Sequence, residues 1–347
     1  MGNPPNALTK GSVLKALVTF TVPFLLANVL QSLYGAVDLF VVGQFCDAQA
    51  VAAVSTGTQV TQIVTSFISG LTLGGTVTVG KYVGMKRMED VKKTISTSLC
   101  LFAATGVLLT VLLLLLQTPI LTLLKTPKAA FSQAKHVSVC AMGVFFTCGY
   151  NAISAILRGY GDSKSPLLFV AVAGGLNVIG DIFFVKQLHM GVAGTALATI
   201  LSQAFSMVCA MIYLNRRDFV FRFHISNFRI YRDKVRELAL VGIPISLQEC
   251  MVRLSFLYLT SVTNALGVYA ASAVGIASKY DVFAMLPATS VSSALASIVA
   301  QNYGAKKYHR MNRALFTGIA FALPFSLAFF LWAQISPTTM IGVFSTD

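Results

Sequence analysis

Nine stretches of this sequence are apolar for long enough to cross a lipid bilayer, and no other feature constrains the fold as strongly. A hydrocarbon core of ~30 Å takes about 20 helical residues. Val107–Leu116 and Phe321–Trp332 lie within longer apolar stretches of that kind. In lipid the backbone has no water to bond, so a crossing segment must be a helix or a strand of a closed barrel. The runs are continuous, not short and alternating, which selects helices. The expected spans are 17–41, 52–79, 94–117, 137–157, 166–185, 190–214, 238–263, 272–299 and 314–335. The chain is 56% hydrophobic and 11% charged, with mean hydropathy +0.75, where a soluble domain carries about a quarter charged residues. The expected fold is an all-α polytopic membrane bundle. Nothing before the first span resembles a cleaved signal peptide.

A net charge of +14 could point to nucleic acid, but its distribution points elsewhere. With the N-terminus cytoplasmic, the inside segments carry twenty of the 26 Lys and Arg, seven of them from Arg216 to Arg236. The outside loops carry only Lys125, Lys128, Lys135 and Lys186, and Arg253 and Lys279 fall within spans. This is the positive-inside asymmetry. It implies a multi-pass protein of the cell inner (plasma) membrane, with lipid and not nucleic acid as its partner, and some attraction to anionic headgroups. No Walker A lysine pattern is present, so ATP is not expected. The six cysteines show no CxxC spacing and read as packing residues. The four histidines lie at or near loops, without metal-ligand spacing.

The chain also repeats itself. Pro23 and Pro244 each open a long span. At nearly the same offset, "KYVGMKR" at 81–87 answers "QNYGAKK" at 301–307, "AAVS" at 52–55 answers "SAVG" at 272–275, and "LLKTP" at 123–127 answers "VFSTD" at 343–347. Both units begin inside, so the repeat is parallel, about an axis along the membrane normal. The expected organisation is a six-helix N-lobe (1–214), a basic cytoplasmic linker (215–236) and a partial C-lobe of three helices (237–347). Gly-rich "SGLTLGG" at 69–75 permits close helix approach.

Four acidic residues fall within spans: Asp38, Asp181, Glu249 and Asp281. Ionisable groups in spans usually face the bundle interior or a wet cavity, and a functional role is the default reading. Asp181 follows Asn177 by four residues, and Asp38 follows Tyr34 by four and Gln31 by seven, so each set shares one helix face. Thr195, Thr199 and Gln203 make a third polar stripe, and Asn151 adds an amide. Carboxylate, amide and hydroxyl oxygens suit a hard cation, and the same carboxylates could exchange protons. The plainer alternative is that these groups only bond helices together. Glu249 and Arg253, four apart, can neutralise each other. Lys279 and Asp281 point to different faces and could line a cavity. Pro23, Pro244 and Pro287 lie inside spans, where proline can kink a helix.

Three stretches carry a family resemblance: "PFLLANVLQSLYGAVDLFVVG" at 23–43, "ILRGYGDSKSP" at 156–166 and "IVAQNYGAKK" at 298–307. With the repeat, they resemble bacterial transporters of the multidrug and toxic compound extrusion (MATE) family over nearly the whole chain, with the last three of twelve helices lacking. The resemblance implies two lobes around a cavity open to one side at a time. It implies export of small organic, often cationic, compounds in exchange for Na⁺ or H⁺, with no other cofactor. It further implies an N-lobe cation site at Asp38, Asn177, Asp181 and Thr199, with Asn151 nearby and Pro23 as a hinge. Some branches of the family use a glutamate where this chain has Val252, so no second cation site is assigned.

Two other functions compete. A flippase for lipid-linked sugars, from the same superfamily, would need several cations in its cavity, and only Arg253 and Lys279 qualify. A membrane-embedded enzyme would need a His, Cys or carboxylate constellation at one membrane face, and none is present.

Overall fold

Inside lipid a helix satisfies its own backbone, and the long apolar runs fold accordingly. The computed structural model describes residues 7–123, 135–216 and 219–342, and among these it contains helices and short connections but no strand. The main helices are α1 (Val13–Phe45), α2 (Ala48–Gly84), α3 (Met88–Leu123), α4 (Lys135–Tyr160), α5 (Lys164–Asp181), α6 (Gly191–Arg216), α7 (Arg232–Ala265), α8 (Val268–Gly304) and α9 (Tyr308–Ile335), followed by the short α10 (Pro337–Gly342). Among the described residues, nine helices are long and apolar enough to cross a membrane. They match the nine expected spans, running several residues further at most ends, except that 166–185 continues past α5 into the turn Ile182–Gln187 and α6 begins one residue after position 190. The correspondence of 123–127 with 343–347, and the loop carrying Lys125 and Lys128, lie outside the described residues apart from Leu123.

The repeat is visible in the backbone. α2 and α8 are each 37 residues long, so Ala48 and Gly84 of one correspond to Val268 and Gly304 of the other. Each is followed by a left-handed lysine, Lys86 at φ 59° and Lys306 at φ 57°. The cap bonds also correspond: Met85 N–H donates to Lys81 O, and Ala305 N–H to Gln301 O.

α1 to α6 pack as a group, with α4 against α2, α3 and α6, and α5 against α1 and α6. Their core includes Val83, Ile95, Tyr150, Ile153, Ile156 and Leu214. α8 packs on α9, and α2 packs along both α7 and α8. The α2–α7 seam depends on glycine. A Cβ on Gly74 would lie 2.8 Å from the Cα and N of Gly242 and 3.0 Å from Leu238 O. A Cβ on Gly70 would strike the Ser246 backbone. This is the close approach that the Gly-rich stretch at 69–75 permits. At the end of the seam a Cβ on Gly84 would meet Gln301 O, and one on Gly304 would meet Lys81 O. Closing α2 onto both helices therefore depends on missing side chains at these points.

Candidate functional site

α5 ends at Asp181, where the helix widens into a π-helical turn, Ile182–Gln187. Such turns are rare and occur often at functional sites. Asp181 is fully buried and Asn177, one turn earlier, is 3% exposed. Both face α1 and α6. Asp38, on α1, lies against Asp181, Asn177 and Thr199. The Asn177 amide donates to Thr199 Oγ1 at 3.3 Å, and Thr199 Oγ1 donates to Thr195 O at 3.0 Å. Three helices thus bring two carboxylates, one amide and one hydroxyl together.

The hydrogen bonding of this cluster is one-sided. Asp38 Oδ1, Asn177 Oδ1 and both carboxylate oxygens of Asp181 are buried with no protein donor. Buried polar atoms are rarely left so, and two adjacent carboxylates away from water repel unless a proton or cation lies between them. Four acceptor oxygens without a donor fit a hard cation, which takes oxygen ligands, or a shared proton.

Tyr34 fastens α1 beside the cluster. Its hydroxyl donates to Val170 O of α5, and its ring lies over Gly174, where a Cβ would strike it. A cavity of about 40 Å³ adjoins the site through Thr199, with Thr61, Thr65, Cys140, Thr147 and Gln203 in its wall. That volume is enough to admit water, which needs at least ~10–15 Å³.

The other candidates are placed differently. Thr195 is buried and donates to Val192 O in its own helix. Asn151 donates to Thr147 O, also within its helix, at 2.8 Å. Gln31 and Asp281 are exposed, and Glu249 is half-buried. Glu249 and Arg253 do not pair as their spacing permits: the guanidinium Nε donates to Ser66 Oγ of α2 at 3.1 Å instead. The Lys279 side chain lies outside the described residues. Pro23 is buried in α1, next to Phe24, whose ring carries the Arg158 guanidinium at 4.4 Å.

One cluster escaped the sequence reading. The Lys234 side chain is 3% exposed and reaches Asp90 at 3.0 Å and Asp233 at 3.1 Å. It also donates to the Tyr82 hydroxyl at 2.7 Å. Glu237 accepts from Tyr82 at 2.7 Å and pairs with Lys81 at 3.2 Å. In the sequence these lysines are only part of the positive-inside count, although the acids at 90, 233 and 237 already distinguish them.

A multi-pass helical membrane protein, with a repeated three-helix unit and a buried carboxylate pair between helices, is the class that the fold and site define. The MatE family model matches residues 23–183 and 244–347, and the chain belongs to that family. It is 32% identical over 304 residues to the probable multidrug resistance protein YpnP of Bacillus subtilis (strain 168), covering 85% of this chain and 66% of that protein. It is 30% identical over 323 residues to the probable multidrug resistance protein YoeA of the same organism, covering 90% of this chain and 69% of that protein. The chain therefore spans about two thirds of the length of these curated relatives. Among solved structures, the outward-facing conformation of a multidrug resistance MATE family transporter of the MOP superfamily matches over all of this chain and 77% of its own, with TM-score 0.90 and 23% identity. A MOP superfamily transporter from Pyrococcus furiosus Vc1 matches with TM-score 0.91, covering 100% of this chain and 77% of that one.

Proposed function

We propose that this chain is a secondary antiporter that moves small organic compounds out of the cell in exchange for H⁺ or Na⁺ bound at Asp38 and Asp181. The observation that carries this is the group of four buried acceptor oxygens at the α1–α5–α6 junction, which no protein donor reaches. Asp38 and Asp181 hold the ion, Asn177 supplies an amide oxygen, and Thr199 sets the amide's orientation through its hydrogen bond. Loading this site neutralises the repulsion between α1 and α5 and lets Asp38 close on Asp181. Unloading restores the repulsion and pushes α1 away. Because α1 also packs on α8, ion occupancy acts on the contact between the two repeat units.

The multidrug resistance names of the relatives support small organic molecules as the cargo. The excess of cationic residues in 215–236 over the loops joining the other ends of the helices supports a cytoplasmic N-terminus and linker in the plasma membrane. α1–α6 and α7–α9 are then two lobes of the transporter.

The test is transport by the purified protein in liposomes, with Na⁺ and H⁺ gradients imposed separately and a fluorescent organic cation as cargo. Uphill movement driven by one of the gradients, and abolished by the matching ionophore, is expected. Movement that continues at the same rate without any gradient would rule out antiport.

A further inference from the structure

The internal repeat places the same positions of each unit against the segment that leads into, or begins, the other unit's first helix. Ahead of α1, Ala7–Thr9 form a 3₁₀ turn and Gly11 is left-handed at φ +70°. The carbonyls of this turn have no continuing helix to accept for. Side chains from the far unit satisfy them. Arg310 donates through Nη1 to Gly11 O at 2.7 Å and through Nη2 to Lys10 O at 3.2 Å and Leu8 O at 3.4 Å. Lys307 Nζ donates to Thr9 O at 2.9 Å. Asn302 donates to Leu8 O at 3.2 Å, while its own Oδ1 accepts from Arg310 Nε at 3.2 Å. Four consecutive carbonyls are thus held by three residues that follow one another around the end of α8.

The equivalent positions in the first unit make the reverse contact. Tyr82 stands where Asn302 does, and Asp90 where Arg310 does, with the opposite charge. These two hold Lys234 and Glu237 in the first turns of α7 through the bonds described above. The two Gly–backbone contacts, Gly84 on Gln301 and Gly304 on Lys81, lie between the two grips.

We propose that the two copies of the repeated segment are reciprocal latches, Asn302 and Arg310 on the chain entering α1 and Tyr82 and Asp90 on the start of α7, and that both must release for the bundle to open at this end. The proposal rests on the transport reading only for its consequence. If the protein alternates between two openings, these are its positioning residues at the sealed end. The first latch has a direct mechanical line to the ion site. Leu8, Leu17, Phe20 and Phe24 pack with Val291 and Ile298 of α8, and Asn28 donates to Ser290 at 3.1 Å. The near half of α1 is therefore fastened to α8. Its far half is fastened to α5 by Tyr34 and carries Asp38, and Pro23 lies on the latched side of that division.

The test reads opening directly and needs no ion gradient. Ser246 is fully buried on the α2–α7 seam, where its hydroxyl donates to Phe67 O at 3.0 Å. Cys148 is fully buried in α4, in a cluster with Val60, Ile68 and Leu113 of α2 and α3 that includes no residue of α7 or α8. The protein is made with Ser246→Cys and Cys148 as its only cysteines and labelled with N-ethylmaleimide in liposomes. Arg310→Gln should speed labelling at position 246 about tenfold, the low end for loss of charge-assisted bonds at a half-exposed site, and leave Cys148 unchanged. Asp90→Asn should do the same, the double variant should multiply the two effects, and Arg310→Lys should fall between Arg310→Gln and the parent. A merely structural role would raise the reactivity of both cysteines together through general unfolding. Equal acceleration at 148 and 246, or no acceleration at 246, would overturn the latch. Should Arg310→Gln not fold, Asp90→Asn and Arg310→Lys carry the same test. Asp181→Asn in the same background leaves both latches intact, so a failed ion site and a failed latch give different results.

Discussion

Gly74→Ala tests whether the seam between α2 and α7 is closed as tightly as the structure shows. The added Cβ would meet the Cα and N of Gly242 at 2.8 Å and Leu238 O at 3.0 Å. Carbon atoms rest at about 3.5–4.0 Å, so the helices must part by up to ~1 Å at this point. Backbone faces the methyl group, so no side chain can rotate away to relieve the contact. Overpacking of this kind costs about 1–3 kcal/mol. The control is Gly175→Ala on α5, where a Cβ meets nothing within 4 Å. There alanine should be neutral or raise stability by up to ~1 kcal/mol, because it fits a helix better than glycine. Thermal unfolding of the three proteins in one detergent should rank Gly175→Ala at or above the parent and Gly74→Ala clearly below it. A Gly74→Ala protein as stable as the parent would refute the close seam.

Glu249→Gln should change stability by no more than ~0.5 kcal/mol, because Arg253 rests on Ser66 and not on Glu249; a large loss on thermal unfolding would restore the ion pair that the spacing permits. Tyr34→Phe removes the bond to Val170 O and should cost about 1 kcal/mol on the same measurement, while weakening ion-dependent protection at the Asp38 site. A cysteine in place of Ser226, in the exposed linker, should react with an impermeant thiol reagent in inside-out vesicles and not in intact cells; the reverse pattern would invert the topology.

The helices were legible in the sequence because lipid leaves one solution for a long apolar run. The repeat was legible because proline, glycine and lysine recur at nearly one spacing. The shared face of Asn177 and Asp181 followed from helical period alone. The π-helical turn after Asp181 did not, since it is a small change in winding with no residue type of its own. Thr195 lies in the same polar stripe as Thr199 but bonds inside its own helix, and periodicity cannot separate a threonine that faces a site from one that returns to its backbone. The Glu249–Arg253 reading failed for a related reason. Four-residue spacing makes a pair possible, but a partner on a neighbouring helix, here Ser66, can take one member away. The latches were hidden because their lysines and arginines also serve topology. The opposite charges of Asp90 and Arg310, at equivalent positions of otherwise matching segments, were the available signal.

If Asp38 and Asp181 share the ion that drives transport, removing one of the two charges must abolish coupling. Asp181→Asn keeps the size of the side chain and removes its charge, and its new N–H donors can serve Asp38. Uphill transport of an organic cation should therefore be measured for the parent and the Asp181→Asn protein in matched liposomes, with the driving gradient identified beforehand. The variant should be folded, insert normally and show no gradient-driven transport. Transport by Asp181→Asn at the parent's rate and with the parent's ion dependence would contradict the shared ion.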